Sequence, residues 1–330
     1  STWEAGCKRG LPKKPPSDEG KDEKGMENQT LLTIEDLSVQ FVSAGVRTTA
    51  LSGLSLTAKK GEILAVVGAS GAGKSLLAHA VLGLLPKNAE VTGRMTYKEQ
   101  ALNEKTLPRL RGTEITLIPQ AVTYLDPLMP VGRQVYYPMN KQEGRAKTAA
   151  LFEEYGLSPE VMKKYPFELS GGMTRRVLFS AAVLSGAKLL LADEPTPGLS
   201  RETARHVLRH LRAFAKEGRT VLLITHDLDL AVECADRVAV LYAGTLLEIA
   251  PATDFTEDGA ALRHPYSQSL WNALPQNGFH PIAGNMPSPG ERVKGCPFAP
   301  RCLKKTALCW EKPVPLRPLR GGTVRCIHAT

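Results

Sequence analysis

Residues 68–75 read Gly-Ala-Ser-Gly-Ala-Gly-Lys-Ser and fit the pattern G-x-x-x-x-G-K-[ST] at every fixed position. An apolar run at 62–67 precedes this stretch, and an apolar helical pattern follows it as far as Leu85, so the order is strand, glycine loop and helix. Glycines let the backbone turn tightly and direct several N–H groups at one anion. The stretch therefore predicts a phosphate-binding loop that opens into a helix.

Two side chains at the end of this loop extend the prediction to a specific ligand. Lys74 is placed to reach the β- and γ-phosphates of a nucleotide, and Ser75 can ligate Mg²⁺. A nucleoside triphosphate is therefore the expected ligand. The alternative interpretation, a plain glycine turn before a helix, does not require a lysine at position 74.

The composition indicates a globular chain. It has 330 residues, of which 42% are hydrophobic, and this is enough for one large core or two modest ones. No apolar run approaches the ~18 to 20 residues of a membrane span, and the N-terminal segment lacks the apolar core of a secretory signal. Any role at a membrane is therefore expected to depend on partner subunits.

The positive charge is concentrated at one end. The formal net charge is +9, and residues 291–330 contain nine Lys or Arg against two Asp or Glu, which accounts for +7. The rest of the chain is nearly neutral, which argues against a groove that binds nucleic acid across the nucleotide-binding body. We expect no nucleic acid among the partners.

The N-terminal part divides into a tail and a sheet. Residues 1–30 are rich in charged residues, Pro and Gly, so they cannot repay the entropy of ordering and are predicted to be a mobile tail. Residues 31–67 alternate as short strands broken by glycines, which predicts a small antiparallel sheet. Phe41 in this sheet could stack on an adenine ring or be an ordinary strand aromatic, and the sequence leaves both interpretations open.

The middle of the chain contains two further features that can bind a nucleotide. Gln120 follows an apolar strand at 114–118, where it can reach a metal ion or the attacking water. Helical patterns broken by prolines then predict a helical insertion over about 121–186. Within it, Ser170 is a good N-cap, and Gly171 and Gly172 leave the first N–H groups of a helix at 174–184 unobstructed, which predicts a second anion site.

Three polar side chains follow the last two apolar strands. Asp193 can hold Mg²⁺ through water, and Glu194 beside it can act as the general base that polarises the attacking water. A buried acidic pair without such a task is costly. His226 follows the strand at 220–225 and can sense the γ-phosphate. A lone histidine is more often structural, but this one is predicted at the sheet edge that carries the other phosphate contacts.

At this point the chain resembles the nucleotide-binding subunit of an ABC transporter, from residue 31 to the C-terminus. The resemblance rests on five motifs in the family's order: GASGAGKS (68–75), Gln120, LSGGM (169–173), LLLADE (189–194) and His226. It implies an α/β fold with a P-loop NTPase (RecA-like) core, an N-terminal antiparallel β-subdomain and an inserted α-helical subdomain. The nucleotide-binding domain would span 31–250, and a small irregular Cys-rich extension would span 251–330.

Residue patterns and resemblance together give a set of site residues. The predicted catalytic residues are Glu194, His226 and Gln120, and the predicted Mg²⁺ ligands are Ser75, Gln120 and Asp193. The predicted contacts to ATP are Phe41, Gly68, Ser70, Gly71, Gly73, Lys74, Ser75, Leu76, Gln120, Asp193, Ser170, Gly171 and Gly172.

Three further stretches look like the ATPases of bacterial oligopeptide, dipeptide and nickel importers. They are YLDPLMPVGRQV (124–135), HPYSQSL (264–270) and GCPFAPRC (295–302). This resemblance implies a head-to-tail dimer in which the loop of one subunit and the signature helix of the other enclose each ATP. It also implies a related but different ATPase subunit as the dimer partner, two membrane-spanning permease subunits and an external solute-binding protein. The expected location is the cytoplasmic face of the bacterial inner membrane.

One position departs from the family pattern. Ser200 stands where the family has an aspartate, which retains a helix cap and loses a negative charge that would bond across the dimer. A regulatory ATP-binding subunit with a weakened site is therefore an alternative function. A soluble ABC protein that acts outside transport is a third, and it is disfavoured by the single cassette and the importer-like extension.

Four of the six cysteines lie in the basic C-terminal segment. Cys296, Cys302, Cys309 and Cys326 have the spacing C-x₅-C-x₆-C-x₁₆-C, in a segment with few apolar residues that a bound centre would stabilise. A [4Fe–4S] cluster, a structural Zn²⁺ ion and reduced free thiols are the three options. The neighbouring Lys and Arg are expected to depress the thiol pKa values and so favour ligation. The resemblance favours the iron–sulfur cluster.

Overall fold

The computed structural model describes residues 29–137, 139–256, 258–288 and 294–330. The tail predicted at 1–30 lies outside the described residues up to position 28. The strands are β1 (Thr30–Ser43), β2 (Val46–Lys59), β3 (Ile63–Val67), β4 (Ala89–Tyr97), β5 (Gln100–Ala101), β6 (Ile115–Ile118), β7 (Leu189–Asp193), β8 (Thr220–Thr225), β9 (Arg237–Tyr242), β10 (Thr245–Pro251), β11 (Arg317–Leu319) and β12 (Gly322–Val324). The helices are α1 (Lys74–Leu82), α2 (Leu107–Leu110), α3 (Val131–Tyr136), α4 (Lys141–Glu154), α5 (Gly171–Leu184), α6 (Arg201–Lys216), α7 (Leu228–Cys234), α8 (Pro265–Asn272) and α9 (Leu308–Glu311).

The centre of the fold is an eight-stranded sheet in the order β11-β12-β10-β9-β3-β8-β7-β6. Strands β9, β3, β8, β7 and β6 are parallel, and β10, β12 and β11 continue the sheet antiparallel at one edge. Every residue of β3, β7 and β8 is buried. Strands that are covered on both faces need continuous apolar runs. For this reason, β3, β7 and β8 can be predicted from the sequence.

The two faces of the central sheet face different layers. On β3, Ile63 and Val67 belong to one hydrophobic cluster together with Leu211 of α6, while Leu64 belongs to a second cluster with Leu77 of α1. The alternation follows from the two-residue period of a strand. Helix α1 ends at Leu82 rather than at Leu85 because Gly83 adopts a left-handed conformation and caps it.

The N-terminal sheet is four-stranded and antiparallel, in the order β2-β1-β4-β5. The buried side chains of this sheet belong to the same hydrophobic cluster as those of α1. The sequence predicted β1 and part of β2, but it assigned the residues from the end of α1 to Gly112 to a polar segment and so missed β4. Five of the nine residues of β4 are exposed, because main-chain pairing to β1 holds this strand without an apolar pattern.

Helices α3, α4 and α5 form the helical segment expected over about 121–186. They have a hydrophobic cluster of their own, to which Val131, Phe152 and Val177 contribute. Helix α5 begins at Gly171, three residues before the predicted start, because the Ser170 hydroxyl accepts the N–H of Met173 and both glycines enter the first turn.

The C-terminal part is less irregular than predicted. Strands β11 and β12 form a hairpin, and β12 pairs with β10 through Glu248 and Val324, so the segment joins the central sheet. Main-chain hydrogen bonds between these strands stabilise the C-terminal segment, which has few apolar residues to do so. A buried Arg263 also donates to the carboxylates of Glu248 and Asp254, which ties the start of this part to β10. Among the described helices, none is long and apolar enough to cross a membrane.

Candidate functional site

The predicted phosphate and metal contacts converge on one edge of the central sheet. Strands β3, β8 and β7 are parallel neighbours, so their carboxyl ends lie side by side. Gly68 follows β3, Glu194 follows β7 and His226 follows β8. Ligands of open α/β sheets bind at this edge. The fold therefore brings together residues that are up to about 160 positions apart in the chain.

The phosphate loop requires glycine at two positions for steric reasons. A Cβ atom on Gly68 would collide with the carbonyl oxygen of Leu241 on β9. A Cβ on Gly73 would lie 2.6 Å from Cδ2 of Leu51, and Gly73 has a φ of +96°. Larger residues at either position would force the loop away from the sheet edge. Ser70 and Gly71 lie at the exposed tip of the loop, and Leu76 is half-buried in the first turn of α1.

Lys74 crosses the mouth of the loop. Its ammonium group donates hydrogen bonds to the carbonyl oxygens of Gly68 at 2.8 Å and Ala69 at 3.1 Å. Burial lowers the pKa of Lys74, and the carboxylates of Glu194 and Asp193 act in the opposite direction. A cation held in this position can neutralise the charge of a bound triphosphate.

Ser75 and Asp193 are joined across the site. The hydroxyl of Ser75 donates to Oδ1 of Asp193 at 3.0 Å. Burial raises the pKa of Asp193, and the neighbouring Glu194 adds to this, although the hydrogen bond from Ser75 acts against it. A hydroxyl and a carboxylate are hard oxygen ligands, so this pair fits Mg²⁺. Gln120, the third predicted ligand, is exposed just beyond β6, next to β7 in the sheet.

Glu194 is held by contacts from the end of β8. Nδ1 of His226 lies 2.8 Å from Oε1 of Glu194, and the hydroxyl of Thr225 donates to Oε2 at 3.3 Å. The carboxylate is buried, whereas the imidazole is 61% exposed. Glu194 also has a φ of +49°, a left-handed conformation that is costly for a non-glycine residue and is found at functional sites. The geometry fits a general base whose orientation His226 controls.

The second predicted anion site lies at the start of α5. Ser170 and Gly171 are exposed, and nothing lies within 4 Å of a Cβ atom built on Gly171 or Gly172. The first turn of this 14-residue helix is therefore open to a ligand from outside the chain. Arg175 from the same helix donates to the carbonyl oxygen of Glu194 at 3.3 Å, which links the helix to the predicted general base.

Phe41 pairs in register with Thr48 and Ala89 on the neighbouring strands. It is half-buried and packs against the hydrophobic cluster of the N-terminal sheet. That packing favours the interpretation as an ordinary strand aromatic, and stacking on an adenine ring stays a prediction.

Comparisons with known proteins agree with this geometry. A family model described as "ABC transporter" matches residues 51–197, and one described as "Oligopeptide/dipeptide transporter, C-terminal region" matches residues 247–309. The oligopeptide transport ATP-binding protein AppD of Bacillus subtilis is 34% identical over 90% of this chain and 96% of its own length. The chain belongs to the ABC transporter family.

Two further comparisons extend this result. The oligopeptide transport ATP-binding protein OppD of Salmonella typhimurium is 37% identical over 89% of this chain and 92% of its own length. The solved structure of MJ0796, a bacterial ABC transporter cassette, matches 67% of this chain and 99% of its own with a TM-score of 0.62 at 23% identity, which supports the fold. As an ABC transporter ATPase, the chain hydrolyses ATP with Mg²⁺, forms ATPase dimers, and acts at the membrane with permease components.

The C-terminal part of this ABC ATPase contributes residues to the loop that the sequence did not predict. Burial raises the pKa of the Tyr266 hydroxyl to about 12, whereas the main chain of Ala69 in the phosphate loop acts to lower this pKa. The side chain of Met286 lies 3.6 Å from a Cβ atom built on Gly71. The stretch HPYSQSL, which contains Tyr266, was the available signal, but it identified only a subfamily.

The four C-terminal cysteines are buried and unpaired, and they line one small cavity. His264 and His328 complete its polar lining, and Sγ of Cys309 lies 3.4 Å from Nε2 of His328. Within the described residues, no three of these ligand atoms lie within 4.8 Å of one another, so the predicted centre is not present as a compact ligand set.

The expected effect of the basic residues on the thiols was wrong. Burial raises the pKa of Cys296 to about 11, and it also raises the pKa values of Cys302 and Cys326. Desolvation disfavours the thiolate more strongly than the neighbouring Lys and Arg favour it. A positive metal centre would be needed to keep these thiols ionised at neutral pH.

Proposed function

We propose that this chain is the ATP-hydrolysing subunit of a bacterial importer for peptides or a related solute, such as a dipeptide, an oligopeptide, nickel or a metal chelate. The observation that carries the proposal is the convergence of Lys74, the Ser75–Asp193 pair and the Glu194–His226 pair on one sheet edge. The choice of peptides rests on the relatives, whose names specify oligopeptide and dipeptide transport.

The proposed working form is a head-to-tail dimer with a related but different ATPase subunit. The exposed start of α5 offers an anion site that is separate from the phosphate loop, so two chains would enclose each ATP between them. The MJ0796 cassette is dimeric in its solved structures, one of which contains ADP and Pi. Two permease subunits, an external solute-binding protein and a position at the cytoplasmic face of the inner membrane complete the proposal.

An uptake experiment tests this function. Cells or proteoliposomes with the assembled transporter should accumulate labelled short peptides, and accumulation should stop when this subunit is omitted or carries Glu194→Gln. Nickel uptake under the same conditions is the matched comparison. Peptide uptake that continues without the subunit would overturn the proposal, and uptake of nickel alone would change the solute.

A regulatory subunit is the second candidate, and Ser200 is the observation that favours it. Its hydroxyl caps α6 by accepting the N–H of Thr203 at 3.2 Å, so the position is used for folding while the charge expected across the dimer is lost. ATP turnover of the complex that is unaffected by Glu194→Gln, but stopped by the equivalent change in the partner, would support this candidate.

We also propose that Cys296, Cys302, Cys309 and Cys326 hold a [4Fe–4S] cluster, with a structural Zn²⁺ ion as the alternative. All four line one cavity, which supports a shared centre. A single zinc ion requires its sulfur ligands to be close together, whereas a cubane cluster binds thiolates at its outer corners and holds them farther apart. The preference for the cluster over zinc rests on the resemblance of GCPFAPRC (295–302) to the ATPases of bacterial peptide importers.

Anaerobic purification tests the centre. A cluster predicts a brown protein with roughly four iron and four sulfide per chain, which are lost in Cys302→Ser. Stoichiometric zinc in a colourless protein would support the alternative. A colourless protein without metal would show that the thiols are free.

A further inference from the structure

A second group of metal-ligating side chains lies outside the nucleotide site, where α4 meets α6. His206 and His210 are four residues apart on α6, and Glu154 is the last residue of α4. One ligand atom from each of the three lies within 4.8 Å of the other two. We propose that Glu154, His206 and His210 form a binding site for a divalent transition-metal ion of the Zn²⁺, Ni²⁺ or Co²⁺ class.

The geometry is close to that of a ligated ion. Residues four apart share one face of a helix, so both imidazoles face the same neighbour. Their rings are nearly parallel at 9°, with centroids 4.6 Å apart, and Nε2 of His210 lies 3.3 Å from Oε1 of Glu154. Neighbouring ligands of one zinc ion lie about 3 to 3.5 Å apart, so small side-chain rotations would complete the set.

Aromatic side chains hold the two imidazoles in place. The ring of Tyr155 makes edge contacts with both, at 4.8 Å from His210 and 5.8 Å from His206, and Phe179 packs against His210. The hydroxyl of Tyr155 is buried and has no hydrogen-bond partner among the described residues. Such a group is explained by a ligand or an ordered water that occupies the adjoining space.

There is room beside these residues for the remaining ligands of an ion. Glu154, Tyr155 and His206 line a cavity of about 340 Å³ between α5 and α6. Water molecules in the cavity can fill the open coordination positions.

The charges around the cavity decide which ions can bind. The lining of the cavity contains three arginines and two glutamates: Arg175, Arg176, Arg209, Glu154 and Glu202. Its net charge is therefore positive, and a cation that relies on charge attraction alone would be repelled. Imidazole nitrogens bind zinc, nickel and cobalt strongly but suit Mg²⁺ and Ca²⁺ poorly. The site is therefore expected to reject the Mg²⁺ that accompanies ATP.

A bound ion would join two parts of the fold. Glu154 ends α4, which contributes Phe152 to the hydrophobic cluster of the helical segment. Helix α6 contributes Leu211 to the cluster of the central sheet, and it begins directly after Ser200. Because an ion that binds only the folded chain stabilises it, metal should raise the melting temperature and restrain α4 against α6.

Titration of the untagged, full-length chain tests the proposal. Zn²⁺ affinity is measured by competition with a chromophoric chelator, and Co²⁺ is followed by its visible absorption. His206→Gln and Glu154→Gln should each lower the affinity of this site about tenfold or more and remove the metal-dependent rise in melting temperature. Glu154 is exposed, so its substitution with Gln should leave the fold intact. His280→Gln, an exposed histidine elsewhere, is the matched control and should change nothing.

Cobalt separates this site from the four cysteines. Binding to thiolates gives an intense sulfur-to-cobalt charge-transfer band, which imidazole and carboxylate ligands do not produce. The proposal predicts a Co²⁺ spectrum without this band that disappears in His206→Gln. The proposal is overturned if His206→Gln and Glu154→Gln bind with wild-type affinity, or if all binding carries the thiolate band.

Discussion

The hydroxyl of Ser75 donates a hydrogen bond of 3.0 Å to Oδ1 of Asp193 and so joins the first turn of α1 to the end of β7. The two residues are 118 positions apart in the chain. Both offer oxygen to Mg²⁺, and the contact places them where one ion can bind both. A substitution at this contact should therefore change both the stability of the nucleotide-free protein and its ATP hydrolysis.

Asp193→Asn should stabilise the nucleotide-free protein and abolish its Mg²⁺-dependent ATP hydrolysis. Because burial raises the pKa of Asp193 in the folded state, its ionised form lowers the free energy of unfolding. This penalty is absent below the unfolded pKa, grows as the pH rises from the unfolded to the folded pKa, and is complete above the folded pKa. Asparagine retains an oxygen for Ser75 without the charge.

Melting temperatures in Mg²⁺-free buffer across mildly acidic to neutral pH measure this effect. The wild type should lose stability relative to Asp193→Asn as the pH rises, and ATP turnover of the variant should fall to background. A variant that is less stable than the wild type at neutral pH would contradict the assignment of the penalty to this carboxylate.

Glu194→Gln should leave ATP binding intact and reduce turnover in the assembled complex by ~10² or more. The glutamine side chain still bonds to Thr225 and fits the same space, so the loss would be chemical and not structural. ATP hydrolysis and nucleotide affinity are measured on the same preparation. Turnover near the wild-type rate would show that this chain's Glu194 is not the working base.

Ser200→Asp should preserve folding and alter the coupling between the two ATP sites of the dimer. Asp caps helices as well as Ser does, so the melting temperature should change little, whereas Ser200→Ala should cost about 1 kcal/mol. Turnover against ATP concentration measures the cooperativity. If Ser200→Asp and the wild type give identical turnover curves, the departure from the family pattern has no effect on coupling.

Tyr266→Phe should weaken ATP binding by at most about fivefold, because the main chain of Ala69 in the phosphate loop acts on its hydroxyl and a full hydrogen bond is worth about 1 kcal/mol. Tyr97→Phe is the matched control, since it removes a buried hydroxyl that donates to Glu114 at 2.6 Å, away from the loop. Nucleotide affinity by equilibrium titration distinguishes them. Equal affinities in the two variants would show that the C-terminal part does not support the loop.

The convergence of the candidate phosphate and metal contacts was predictable because these residues stand next to strong local signals. Lys74 and Ser75 end a glycine pattern. Asp193 ends a buried apolar strand, and Glu194 and His226 directly follow such strands. Parallel strands place their carboxyl ends on one edge, so recognising the strands was sufficient to bring these side chains together. Phe41 has no comparable signal, since an aromatic in a strand packs equally well against the core.

The sequence alone determined the phosphate loop, the buried apolar strands around it and the candidate hydrolytic residues at their ends, because the spacing of glycines and apolar runs reports local backbone geometry. Only the tertiary structure decided the contacts that depend on which elements meet. Exposed β4 lacks an apolar pattern and is held by pairing to β1. Tyr266 reaches the loop from almost 200 residues away. Glu154 meets His210 because the end of α4 lies against α6. Long-range packing sets these distances, and periodicity along one chain does not encode them.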